Sequence, residues 1–305
     1  MNIFNSLSLL LSKFRYVFAS KNNKLGKNKI IPKSEAVNFY MTSIQKEGFK
    51  SAYISDLTIQ ILYEGLLLDN NISKDFSDDL YFKMEDELKV PYYSLDKKTL
   101  THVFRIYRKA FDSLDVAFIN PDPRLRYISK YYGKRIKYLF KDSERDIYAQ
   151  IPTSFVTKRV FLISDHPDLF KVQFVKLKSK DKQKYNYYFM AIDDRPIVDE
   201  TDRTRFFESS DSISMALLNY SFDILLIHED VYSLPIMIFV SKMNIPVFIM
   251  SDEVYTMYGI IKSKGEIPFT DDGIYLEDFE KESEREFTYT TTARALSYKG
   301  KRGKK

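Results

Sequence analysis

Asp223-Ile224-Leu225-Leu226-Ile227-His228-Glu229-Asp230 decides how the chain is read. Four branched apolar residues run without alternation straight into polar and acidic ones. That pattern belongs to a strand buried on both faces, the usual strand of a parallel sheet. Three further runs repeat it. Val160-Phe161-Leu162-Ile163 leads into Ser164-Asp165-His166, and Tyr187 to Ile192 leads into Asp193-Asp194. Val247-Phe248-Ile249-Met250 leads into Ser251-Asp252-Glu253. Helical stretches over 205–220, 234–243 and 254–262 lie between or after them, so residues 158–286 are expected to be α/β with four parallel strands.

Parallel strands deliver their C-terminal ends to one edge of the sheet, where ligands bind. Asp165, Asp193, Asp194, Glu229, Asp230 and Asp252 would meet there. Carboxylates that close repel unless a hard cation sits among them, so Asp165, Asp193, Asp194, Asp230 and Asp252 are candidate ligands for Mg²⁺. His228 and Ser251 are the candidate catalytic side chains at the same edge. The alternative for all of them is structural: acids after strands begin turns and cap the next helix.

Val160 to Leu169 resembles the first strand and acidic turn of a response-regulator receiver domain. Asp223 to His228 and Ile245 to Ser251 resemble two later strands of that family. The resemblance spans about 158–280 and implies a flavodoxin-like fold, with Asp165 at a metal-binding position and Ser251 at the phosphoryl-contacting hydroxyl. His228 stands where the family has its acceptor aspartate, and Gly273 to Glu277 would be the last strand. Asp223 to Ser251 is also similar to the nucleotide-sugar-binding halves of two-domain glycosyltransferases.

Composition excludes several chemistries. The 305 residues contain no cysteine and three histidines, His102, His166 and His228. Disulfide frameworks, thiolate metal sites and cysteine nucleophiles are therefore ruled out. The nine glycines form neither a dinucleotide nor a P-loop fingerprint. No apolar run is long enough to span a membrane, and a cytoplasmic location is expected. Lys outnumbers Arg 33 to 14, a bias that fits an AT-rich phage or mobile element.

The net charge of +5 hides three zones. Residues 1–34 carry seven bases and no acid, residues 287–305 six bases and no acid, and the body between them is net −8. The division expected is a basic N-terminal segment over 1–33, a mainly helical module over 34–157, a receiver-like α/β domain over 158–286 and a basic tail over 287–305. Residues 1–18 read as an amphipathic helix that would dock on a membrane surface, on a protein partner or on the protein's own core. In the helical module, Ser55 or Asp56 and then Asp96 mark helix starts. Ile136–Phe140 and Ile147–Ile151 read as strands of a small antiparallel hairpin, turning at Asp142-Ser143-Glu144.

Arg105–Lys141 holds ten bases against three acids, with tyrosines interleaved. Arg124, Arg126, Lys130, Lys134, Arg135 and Lys137 would neutralise phosphates and Tyr131 would stack on a base. The tail bases Lys301, Arg302, Lys304 and Lys305 suit the same partner. The leading expectation is a non-catalytic binding protein for nucleic acid or another polyanion. The competing one is an Mg²⁺-dependent enzyme acting on a phosphate-containing substrate at the sheet's C-terminal edge.

Overall fold

The computed structural model of the protein describes residues 24–25, 28–88, 90, 94–151, 155, 157–173, 186–191, 205–261 and 274–275. Asp193, Asp194, the expected helix over 1–18 and the tail bases lie outside them. Seven strands form one all-parallel sheet. They are β1 (Lys50–Ile54), β2 (Val116–Ile119), β3 (Lys137–Phe140), β4 (Arg159–Ser164), β5 (Asn186–Ala191), β6 (Ile224–His228) and β7 (Val247–Met250). Their order across the sheet is β3-β2-β1-β7-β6-β4-β5. The four strands read from the sequence are all present and parallel, and β5-β4-β6-β7 follows the flavodoxin order. The place of a fifth strand beside β7 is taken by β1, paired through Lys50↔Val247, Ser51↔Phe248 and Ala52↔Ile249. Residues 34–157 and 158–286 thus contribute to a single sheet.

The helices of this unit are α1 (Lys33–Ser43), α2 (Asp56–Asp69), α3 (Asp78–Leu88), α4 (Lys97–Ser113), α5 (Pro123–Tyr131), α6 (Glu144–Tyr148), α7 (Arg205–Leu217) and α8 (Ser233–Val240). Local chemistry sets their starts. The Ser55 hydroxyl accepts the Thr58 N–H at 3.3 Å, and the Asp96 carboxylate accepts that of Thr99 at 2.7 Å. One sheet face, with Ala52, Ile54, Ala117, Ile119, Ile227 and Ile249, joins the core formed with α2, α4, α5, α7 and α8. α2 packs closely there because position 65 is glycine: a Cβ would come within 2.1 Å of the Phe104 ring. On the other face Phe118 and Phe248 meet Tyr40 of α1, and Phe118 meets Tyr148 of α6. Helices on both faces explain why the strands carry no alternation.

The expected antiparallel hairpin over 136–151 does not form. β3 pairs in parallel with β2, and Ile147 and Tyr148 lie in α6 instead of a strand. Residues 144, 147, 148 and 151 are all buried, a three- and four-residue spacing that places them on one helical face. A two-residue antiparallel ladder occurs earlier, where Lys24–Leu25 pairs Asn28–Lys29.

Contacts divide the chain into this unit (Met1–Pro167 with Lys184–Glu253) and a second (Asp168–Gln183 with Val254–Lys305). Within the second, Phe170 packs its ring 5.0 Å from Tyr255 and 5.4 Å from Tyr258. Ile260–Ile261 pairs in parallel with Ile274–Tyr275, so the expected last strand joins this small ladder and not the main sheet. Among the described residues no helix is long and apolar enough to cross a membrane.

Candidate functional site

From β1 the chain steps outward to β2 and β3, whereas β7 is reached from β6 on its other side. After β4 the chain turns outward to β5, whereas after β6 it turns the other way to β7, so the connections diverge between β4 and β6, whose C-terminal ends border the crevice where α/β sheets take ligands. Ser55 and Asp56 follow β1, His228-Glu229-Asp230 closes β6, and Ser251-Asp252-Glu253 follows β7. Asp165 follows β4 beside β6.

His228 is the centre of this edge. Its Nδ1 lies 3.0 Å from Asp165 Oδ1, and its Nε2 lies 2.9 Å from Asp252 Oδ1. The ring is buried while both carboxylates keep an exposed side. Burial opposes charge on the ring, but the carboxylates outweigh it and push the imidazole up to about 9. His228 therefore stands as an imidazolium donating from both nitrogens. His166 Nε2 lies 3.6 Å from the other oxygen of Asp165 and extends the chain of groups outward. The strand end is itself fixed: the Ser233 hydroxyl donates to the His228 carbonyl at 3.0 Å, and the Glu229 N–H donates to the Met250 carbonyl at 2.8 Å.

Glu229, half-buried next to this clamp, has its carboxyl raised to about 7, chiefly by burial. A hydrogen bond with the Ser55 side chain pulls the other way, and Asp230 adds to the rise. Asp230 is raised to about 6, again by burial first, and its Oδ1 accepts the Tyr232 N–H at 3.0 Å. That bond makes Asp230 a turn residue at the start of α8, the structural alternative for an acid after a strand. Ser251 is buried, and its hydroxyl donates to Glu144 Oε2 at 2.5 Å. Glu144 Oε1 accepts from the Tyr148 hydroxyl at 2.8 Å, and the fully buried carboxyl is raised to about 7 by desolvation.

Of the expected Mg²⁺ ligands, Asp165 and Asp252 meet through His228, which supplies positive charge between them. Among the described residues, no three His, Asp or Glu side chains are grouped to hold a metal ion. Sequence reasoning missed Glu144, hidden in an Asp-Ser-Glu stretch with the composition of a turn. Its four-residue spacing to Tyr148 was the available signal. His102 is exposed, its ring centre 4.8 Å from that of Phe207 in an edge-to-face contact.

The expected phosphate-binding residues divide. Arg124 is engaged by Asp122 at 2.7 Å and also pairs with Asp56. Arg126, Lys130, Tyr131, Lys134, Arg135 and Lys137 are exposed. A cavity of about 340 Å³ opens elsewhere, among the Asp75 loop, α3 and the start of α4. Comparison of the chain with family models, with curated proteins and with solved structures finds no match.

Proposed function

We propose that the chain is an enzyme acting on a phosphate-containing substrate that reaches the C-terminal edge of the sheet as its Mg²⁺ complex. The observation that carries this reading is the Asp165–His228–Asp252 clamp with half-buried Glu229 beside it. A carboxyl poised near 7 is matched to general acid–base work at neutral pH. The clamp fixes the neighbouring charges, so little reorganisation is needed as charge develops in a reacting group. The edge is rich in acids, which would repel a bare phosphate. Mg²⁺ is commonly held by one or two carboxylates together with substrate phosphates, and the exposed sides of Asp165 and Asp252 suit that arrangement without an all-protein cage.

Thermal shift and calorimetric titration with pyrophosphate and with nucleoside di- and triphosphates, in Mg²⁺ or in EDTA, test the reading. Stabilisation that requires Mg²⁺ is expected, weakened about tenfold or more in Asp165→Asn and Asp252→Asn. Glu229→Gln should retain binding but lose about 10²- to 10⁴-fold in turnover followed by phosphorus NMR. Ligand stabilisation that persists in EDTA, or none with any of these ligands, overturns it.

A further inference from the structure

The sequence contains two basic, acid-free stretches far apart, 24–34 and 123–141. The fold brings them together. Ile30 bridges Tyr138 in parallel, and the Ile31 N–H donates to the Tyr138 carbonyl at 2.9 Å, so Ile30 and Ile31 run beside β3. The antiparallel ladder that sets Lys24 opposite Lys29 packs against α5 and β3. Leu25 and Ile30 sink into the core there and anchor it. On the second stretch, Arg126 and Lys130 project from α5, and Lys134, Arg135 and Lys137 lead into β3. All five are exposed, and none forms an ion pair among the described residues. This separates them from Arg124 and from Lys33, which pairs with Asp142 at 3.3 Å.

An aromatic ladder lies in the same surface. Tyr63 meets Tyr127 edge-on at 5.9 Å, and Tyr127 meets Tyr131 at 5.6 Å. Lys130 Nζ lies 5.8 Å from the centre of the Tyr127 ring, and Tyr131 at the end of the ladder is 44% exposed. An exposed ring held by a second ring is a platform for a base, and unpaired cations around it neutralise the phosphates on either side.

From these five exposed cations and the tyrosine ladder beside them we infer that the surface of α5 and β3 binds single-stranded nucleic acid. The cations supply affinity without sequence choice, and Tyr131 takes one base. Lys134, Arg135 and Lys137 sit at the start of β3, at the opposite end of the parallel strands from the acidic C-terminal edge.

Fluorescence anisotropy of a labelled oligothymidine of about 20 nucleotides, titrated with the full chain at several salt concentrations, tests the inference. Glutamate at all five of Arg126, Lys130, Lys134, Arg135 and Lys137 should weaken binding at least tenfold. It should also flatten the salt slope by about 0.7 for each phosphate no longer neutralised. Tyr131→Ala should weaken binding about tenfold while leaving the slope unchanged. Lys242→Glu, at an exposed cation after α8, should bind as the parent does. Far-ultraviolet circular dichroism establishes that the five-fold variant is folded. Salt-independent binding overturns the inference, as does binding undiminished in the folded five-fold variant. Capture by phosphatidylserine vesicles with none by the oligonucleotide would assign the surface to lipid and overturn it equally.

Discussion

Stability should fall steeply as pH rises from about 5 to about 9, the reverse of a protein held together by ion-paired carboxylates. Glu144 moves from an ordinary 4.5 to about 7 on folding, and His228 from 6.5 to about 9. Both shifts are upward, so the folded state holds protons that the unfolded chain has released, and stability drops with pH across each interval. For Glu144 the loss falls between about 4.5 and about 7, where the unfolded carboxyl is ionised and the buried one is still protonated. For His228 the contribution is complete below 6.5, where both states are protonated, and is lost as pH passes 9. Each shift of 2.5 pH units corresponds to about 3 kcal/mol, a large share of the stability of a folded protein. Glu229 and Asp230 shift upward as well and add to the fall.

Asp79 and Asp223 oppose it only in acid. Hydrogen bonds from the Lys83 and Arg159 side chains, respectively, hold their carboxyls below the ordinary value, a contribution lost as pH drops below about 4. Guanidinium unfolding at unit steps of pH should therefore give a maximum near pH 5. Glu144→Gln should flatten the lower limb while keeping partners for Ser251 and Tyr148, and His228→Asn should flatten the upper one. A free energy that rises between pH 5 and pH 9 contradicts both assignments.

Phe248→Ala should cost about 3–5 kcal/mol of folding free energy. Phe248 lies on β7, between β1 and β6 near the middle of the sheet, and is buried. Its ring centre is 5.6 Å from Phe155, 5.8 Å from Phe49 and 6.4 Å from Tyr40, which are buried rings on one face of the sheet. The truncated position cannot be refilled, because Tyr40 is held by its hydroxyl's bond to Ser51 at 2.6 Å and Phe49 immediately precedes β1. A cavity therefore remains, and its cost adds to the lost burial. Met215→Ala, at a side chain 60% exposed on α7, should change stability by no more than about 0.5 kcal/mol. Urea or guanidinium midpoints compare the two, and equal effects would show that the aromatic cluster is not part of the core.

The apolar runs of β4, β6 and β7 reveal strands because each is buried on both faces and contains few small or polar residues, while β5, at the edge of the sheet, is read from an aromatic run that is partly exposed. β1 is not legible in the same way. Lys50-Ser51-Ala52 mixes charge, hydroxyl and a small side chain: the Ser51 hydroxyl is hydrogen-bonded to that of Tyr40, and Ala52 packs in the core. β2, Val116-Ala117-Phe118-Ile119, is apolar and buried at every position and carries the same kind of short run as β6. The apolar residues Ile147 and Ile151 suit a strand as well as a helix, and tertiary packing settles the matter in favour of α6. At the site, local sequence places Asp165, His228, Ser251 and Asp252 on one edge. It gives no sign that His228 itself lies between two of the carboxylates, since that depends on the neighbouring order β7-β6-β4. The basic surface reads as separate segments in the sequence for the same reason. Tertiary pairing joins them, as in the bridge of Ile30 to Tyr138.

The clamp at the C-terminal edge is tested most directly by titrating the ring carbons and nitrogens of His228 by NMR, with the signal assigned by its loss in His228→Asn. An apparent pKa near 9 is expected, with both ring nitrogens protonated through neutral pH. A pKa at or below 6.5, or a neutral ring at pH 7, would contradict the Asp165–His228–Asp252 arrangement on which the proposed site rests.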